Sequence, residues 1–170
     1  KRYGIWNEIT YGEFWTQVQY VGSALNYFGV KRTDKVAIHS ENRPEWLISD
    51  IGIQSLGAIS VGLYPTNPPA EVQYLLSHSE SKILFAEDQE QVDKALEVSK
   101  DVPNLSKIIY FEEKGLFRYE SDKLMRWDDF LDIGKTEYEK DKNFVTSSID
   151  QIKSEDVALS LIHISEPTRL

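Results

Sequence analysis

Apolar residues recur along the chain in two alternating rhythms, and these predict its elements. Phe14, Val18, Val21, Leu25 and Phe28 follow steps of four and three, the stripe of an amphipathic helix. Ahead of it, Thr10 and Glu13 have the spacing of a capping box, and Gly29 stands where a left-handed C-terminal cap belongs. Residues 5–9 read as a short strand before this helix. Short apolar runs at 36–38, 58–63, 83–86 and 107–111 then read as strands. Three helices separate them. Asn42 is the expected cap of the first, with Pro44 in its first turn and Gly57 marking its end. Asn67, Pro68 and Pro69 start the second, which turns Val72, Leu75 and Leu76 inward. Asp88 caps the third, with Val92, Leu96 and Val98 facing in. Beyond residue 111 the pattern weakens. Residues 112–123 read as a charged loop or hairpin, 125–133 as a short helix, and 135–148 as a polar stretch with little to bury.

Strands that alternate with helices imply an α/β fold: a mainly parallel sheet with helical crossovers. The strand runs are apolar throughout instead of alternating, as expected where both sheet faces are covered.

Composition narrows the function classes. The 170 residues are 41% hydrophobic and 28% charged, the balance of a globular domain. A formal net charge of −9 argues against nucleic acid as a partner, because a phosphate backbone needs clustered Lys and Arg. Cysteine is absent, which removes disulfides, thiolate metal sites and cysteine nucleophiles. No apolar run approaches the length of a transmembrane helix.

Candidate chemistry is sparse. His39 ends a strand, on the edge where open α/β sheets place ligands, and is expected to be a partly exposed polar residue there. His78 lies near a helix C-terminus, where it suits the dipole. Asp34 and Lys35 read as a solvated pair. Glu87-Asp88 and Asp128-Asp129 lack metal-ligand partners at suitable spacing, so capping and solvation are expected of them. Neither G-x-G-x-x-G nor G-x-x-x-x-G-K-[ST] occurs.

Several segments carry a resemblance to adenylate-forming (AMP-binding) enzymes. Ile9-Thr10-Tyr11-Gly12-Glu13-Phe14 resembles their first core motif, L-[TS]-Y-x-E-L. Leu56-Gly57-Ala58-Ile59-Ser60-Val61-Gly62-Leu63-Tyr64-Pro65 is similar, with departures, to their second, L-K-A-G-x-A-Y-V-P. Three further segments resemble the long-chain fatty-acid–CoA ligase branch: Asn42-Arg43-Pro44-Glu45-Trp46, Leu63-Tyr64-Pro65-Thr66, and Ala86-Glu87-Asp88-Gln89-Glu90-Gln91-Val92-Asp93-Lys94. The resemblance covers residues 1–158 and implies part of the N-terminal domain of such an enzyme. It also implies the family's Y-T-S-G-T-T-G-x-P-K-G phosphate loop after the strand that follows Glu155-Asp156-Val157-Ala158. Residues 159–170 hold no such loop, and 159–169 resemble instead the translation of a transposase sequencing adapter. They are read as a non-native tail, so His163 within them is given no role.

The resemblance implies a parent that uses ATP, Mg²⁺ and coenzyme A to activate a long-chain fatty acid. A cytoplasmic location, with peripheral membrane association, goes with it. The chain itself is expected to be inactive and to bind none of these. No catalytic, cofactor-binding or metal-binding residue is assigned within it. Two alternatives stand beside this: a ligase or adenylation domain for another acid, and a non-catalytic α/β binding module.

Overall fold

The computed structural model describes Trp6 and residues 8–161. Helix α1 (Tyr11–Tyr27) starts at the expected capping box. Thr10 Oγ1 accepts from the Glu13 amide at 3.2 Å, and a Glu13 carboxylate oxygen accepts from the Thr10 amide at 2.8 Å. The helix ends as expected on Gly29, at φ +80°, and the Val30 amide reaches back to the Leu25 carbonyl. Trp6 and residues 8–10 carry no strand, while Ile5 and Asn7 of the strand read at 5–9 lie outside the described residues.

From β1 (Lys35–His39) the chain alternates through α2 (Pro44–Gln54), β2 (Ile59–Leu63), α3 (Pro69–Ser79), β3 (Ile83–Ala86), α4 (Gln89–Val98) and β4 (Lys107–Tyr110). Strand β5 (Leu124–Arg126), helix α5 (Trp127–Lys140), helix α6 (Phe144–Ile149) and strand β6 (Leu159–Leu161) follow. Among the described residues the sheet has six strands in the order β5-β4-β3-β1-β2-β6, every neighbouring pair parallel. Alternate strand residues feed two cores. Val36, Ile38, Ile83, Phe85 and Ile109 meet Val18, Val21 and Leu25 of α1, Ile48 and Ile53 of α2, and Trp127 and Phe130 of α5. Ala37, Val61, Leu63, Leu84, Ala86 and Ile108 meet Val72, Leu75 and Leu76 of α3 and Val92, Ala95 and Val98 of α4. Helices thus cover both faces of the sheet, as the apolar strand runs imply.

Three local expectations change. Asn42 is not the cap of α2. Proline forces the residue before it into extended backbone, so Arg43, at φ −148° and ψ 164°, takes the N-cap position and makes no side-chain capping bond. In α4, Leu96 is only partly buried, whereas Gln91 and Ala95 join Val92 and Val98 inside. The region after residue 123 is more ordered than its pattern suggests. Residues 124–126 add an edge strand, and the helix read over 125–133 begins at Trp127 and continues to Lys140.

The polar stretch at 135–148 is therefore largely helical, and tertiary contacts supply what its weak pattern lacks. Gly134 brings α5 onto the backbone of Tyr20 in α1, and the Tyr138 ring meets that of Tyr20 edge-on at 5.5 Å. Val145 of α6 is buried beside Gly22. Residues 159–161, the start of the segment set aside as a tail, lie as β6 on the edge against β2, with Leu159 and Leu161 exposed outward.

A Cβ at Gly134 would overlap the Tyr20 carbonyl, so Gly134→Ala must force α1 and α5 apart. A loss of about 1–3 kcal/mol is expected for this overpacking. Gly12→Ala, whose new methyl meets only Thr10 Oγ1 at 3.9 Å, should leave stability unchanged or raise it by up to about 1 kcal/mol. Urea unfolding of the two variants checks the ordering, and equal midpoints would show that the two helices do not touch at Gly134.

Candidate site at the carboxyl edge of the sheet

In an open parallel sheet, ligands bind beyond the strand C-termini where successive connections leave in opposite directions. Here that reversal falls between β1 and β3, since the chain leaves β1 toward β2 but leaves β3 toward β4. The residues at this point are His39, Ser40 and Glu41 after β1, and Glu87 and Asp88 after β3.

An ion-pair network spans the opening. One Glu87 oxygen accepts from the Glu41 amide at 2.7 Å and from Ser40 Oγ at 3.3 Å. Its other oxygen lies 3.5 Å from Arg43 Nη1. Arg43 grips Glu45 with Nε at 2.8 Å and Nη2 at 3.3 Å, and Nη2 also pairs with Glu112 at 3.3 Å. Its guanidinium carbon stands 5.4 Å from the centre of the Phe111 ring, within cation–π reach. Burial works against the charge on Arg43, but Glu45, Glu112 and Glu87 outweigh it and raise its pKa above the ordinary value. The extended backbone that Pro44 imposes on Arg43 fixes the start of this reach. Sequence reading missed the clamp, whose only signal was an Arg-Pro-Glu run and a Glu directly after a strand.

The other candidates separate. His39 is not partly exposed: it is fully buried, with Nε2 3.0 Å from the Tyr64 carbonyl oxygen. Burial first, and the Lys94 ammonium second, push its pKa down to about 4, so its ring is neutral at pH 7. His78 is exposed near the C-terminus of α3, stacked on Tyr74, as its dipole-favoured position suggested. His163 lies outside the described residues. Asp34 is not a solvated partner of Lys35; it pairs with Lys82 Nζ at 2.6 Å and accepts from the Lys31 amide at 2.7 Å. Asp88 caps α4 as expected, accepting from the Glu90 amide at 2.9 Å. Asp128 and Asp129 are exposed in the first turn of α5, where carboxylates suit the dipole. Glu87 is neither a cap nor simply solvated, but the centre of the network above.

Two open recesses flank the sheet. One, of about 430 Å³, lies at the amino ends of the strands between Phe28, Asp34, Lys82 and Ser106. The other, of about 420 Å³, lies beside the carboxyl edge, where Asp88, Glu90, Asp93 and Glu112 surround it against Lys114 alone. A triphosphate would meet four carboxylates there, the wrong sign for a polyanion. Among the described residues no group of three or more His, Asp or Glu is placed to hold a metal ion. The arrangement braces the loops beyond β1 and β3.

What the brace belongs to is decided by comparison with known proteins. The sequence model described as "AMP-binding enzyme" matches residues 2–159. The chain belongs to the AMP-binding enzyme family. Among curated members it is 28% identical over 149 residues to the long-chain-fatty-acid–CoA ligase ACSBG2 of Xenopus laevis, covering 88% of this chain and 19% of that protein. It is 33% identical over 112 residues to the long-chain-fatty-acid–CoA ligase FadD15 of Mycobacterium tuberculosis, covering 66% of this chain and 19% of the other. Of solved structures, an anthranilate CoA ligase, AuaEII, in complex with anthranoyl-AMP, matches with a TM-score of 0.65 and 27% identity, over 74% of this chain and 23% of that one. The chain thus spans about a fifth of the length of the curated relatives it matches. The α/β architecture with its parallel sheet is that of an adenylate-forming ligase, as the sequence motifs implied.

Glu87→Ala would leave the Glu41 amide and one arm of Arg43 without a partner. It should cost about 1–3 kcal/mol, as for other polar groups stripped of a buried or half-buried bond. Glu139→Ala breaks only the surface pair with Lys142 and should cost under about 0.5 kcal/mol. Denaturant unfolding of both variants measures the gap; similar small losses would mean that Glu87 does not hold the β1–α2 loop.

Proposed function

We propose that the parent of this chain is a long-chain fatty-acid–CoA ligase, and that the residues seen here form its scaffold and not its reacting centre. The observation that carries the reading is the family match along residues 2–159 together with two long-chain-fatty-acid–CoA ligases among its relatives. In such a reaction a carboxylate oxygen of the fatty acid attacks the α-phosphorus of ATP. Pyrophosphate leaves, and the acyl group is held as its adenylate. The thiol of coenzyme A then loses its proton and attacks the acyl carbonyl, and AMP departs with the bonding pair. Activation is needed because a free carboxylate would have to expel oxide. Mg²⁺ accompanies the ATP by chemical expectation and offsets the phosphate charge. The acidic recess at 88–93 and the braced loops after β1 and β3 support a structural part for this segment.

The likeness to an anthranilate CoA ligase supports a second reading, in which the acid is small and aromatic. Both predict AMP with pyrophosphate, and acid length separates them. Each methylene buried in an acyl tunnel contributes about 0.8 kcal/mol, or about fourfold in kcat/KM. The uninterrupted parent, incubated with ATP, Mg²⁺, coenzyme A and acids of increasing length, should form AMP and acyl-CoA with kcat/KM rising steeply along the series. A preference for an aromatic acid would favour the second reading, and ADP in place of AMP would remove both.

A further inference from the structure

The loop between β2 and α3, residues 64–68, is tied to the sheet edge through two consecutive carbonyls. Tyr64 O stands 3.0 Å from His39 Nε2 at the end of β1. Pro65 O accepts from Lys94 Nζ of α4 at 2.8 Å, and that ammonium also donates to Glu90 at 2.7 Å. The Tyr64 carbonyl accepts from the Asn67 amide at 2.9 Å as well, which closes the turn. Two elements, β1 and α4, therefore converge on one short loop.

A carbonyl only accepts, so His39 Nε2 carries the ring proton and Nδ1 keeps its lone pair. That Nδ1 is buried and has no hydrogen-bond partner. On the neighbouring strands the residues in register with His39 are Leu63 and Ala86, both apolar. The charged groups that bear on the ring come from α4: Lys94, which opposes a proton, and Glu90, an exposed carboxylate already bound to Lys94. Glu87, the next acid along β3, is committed to Ser40, Glu41 and Arg43. A second ring proton would place a cation in a buried site beside Lys94, a cost that the Tyr64 and Pro65 carbonyls offset only in part.

We propose that His39 and Lys94 form an acid-sensitive latch: with His39 neutral they hold the β2–α3 loop on the sheet edge, and protonation of His39 releases the loop while the sheet stays folded. The sign follows from the depressed pKa. An opened, solvated ring takes up its proton near the ordinary 6.5, the closed one only near 4. The closed loop is therefore fully favoured above about pH 6.5 and loses that preference as the pH falls toward about 4. The latch does not depend on which acid the parent activates.

Amide hydrogen exchange on the 170-residue chain tests this, with Asn67 reporting the turn and Phe85 of β3 the sheet. After correction for intrinsic rates, Asn67 should lose up to about eightyfold protection between about pH 6.5 and about pH 4, the limit for a fully solvated open ring, while Phe85 keeps its own. His39→Gln, whose side-chain amide can donate to Tyr64 O without titrating, should abolish that response. Lys94→Met removes the opposing cation, so the His39 ring should titrate at higher pH in NMR and loop release should follow it. An unchanged acid response in His39→Gln, joint loss of Asn67 and Phe85 protection, or no response in the wild type would overturn the latch. If His39→Gln does not fold, an unmoved His39 titration in Lys94→Met would overturn it alone.

Discussion

Strand β1 has no side that faces water, and the rest of the molecule is arranged around that constraint. It is hydrogen-bonded to β2 on one edge and β3 on the other, and Val36, Ala37, Ile38 and His39 are all fully buried. A strand enclosed on two edges and two faces must carry side chains that need no water. Three of the four are small or branched apolar residues. The fourth can be tolerated only neutral and with its N–H satisfied, because an unpaired buried charge costs far more than a lost hydrogen bond. The Tyr64 carbonyl meets that need for one ring nitrogen. Enclosure of β1 thus fixes the protonation state of His39 and, through it, the path of the loop after β2.

The same enclosure explains the division of the helices. Odd and even residues of the central strands point to opposite faces, so each face needs its own apolar cover. Helices α1, α2 and α5 supply one and α3 and α4 the other. The first of these covers is also an aromatic cluster. Phe85 of β3 meets Phe130 at 5.4 Å and Trp127 at 5.9 Å, and Phe111 after β4 meets Trp127 at 5.1 Å. Phe111 in turn lies beneath the Arg43 guanidinium. Core packing and the polar brace are therefore one connected structure: the ring that fills the core also supports the cation that ties the loops after β1, β3 and β4.

What could be read from the sequence was local. The capping box of α1 and the Asp88 cap of α4 depend on residues two or three positions apart, and both form as read. Strand identity was legible for β1 to β4 because a doubly covered strand carries apolar residues on both faces, as at 36–38 and 83–86. What could not be read depends on residues far apart. Arg43 and Glu87 are separated by 44 positions and meet only because β1 and β3 are neighbours, an order the sequence does not print. The burial of His39 has the same origin, since a strand end is open on an edge strand and closed on a central one. The helix read over 125–133 was too short because residues 135–148 are polar, and the contacts of Gly134 and Tyr138 with Tyr20 exist only once α1 is placed against them. The Asn42 cap failed for a local reason instead: Pro44 dictates the backbone of Arg43, and that outranks Asn42's preference for capping.

Topology and chemistry disagree at the switch point, and the disagreement is informative. Strand order alone would place a ligand between the ends of β1 and β3. The side chains there are committed to each other: Arg43 is held by Glu45, Glu87 and Glu112, and Glu87 is held by two groups of the β1–α2 loop. A ligand entering would have to break charge-assisted bonds and replace each of them. The adjoining recess is ringed by Asp88, Glu90, Asp93 and Glu112, which repel phosphate. Both occupancy and sign therefore work against a polyanion at this part of the edge. Its residues act on the loops, which they hold in fixed positions relative to a sheet that cannot shift without exposing β1.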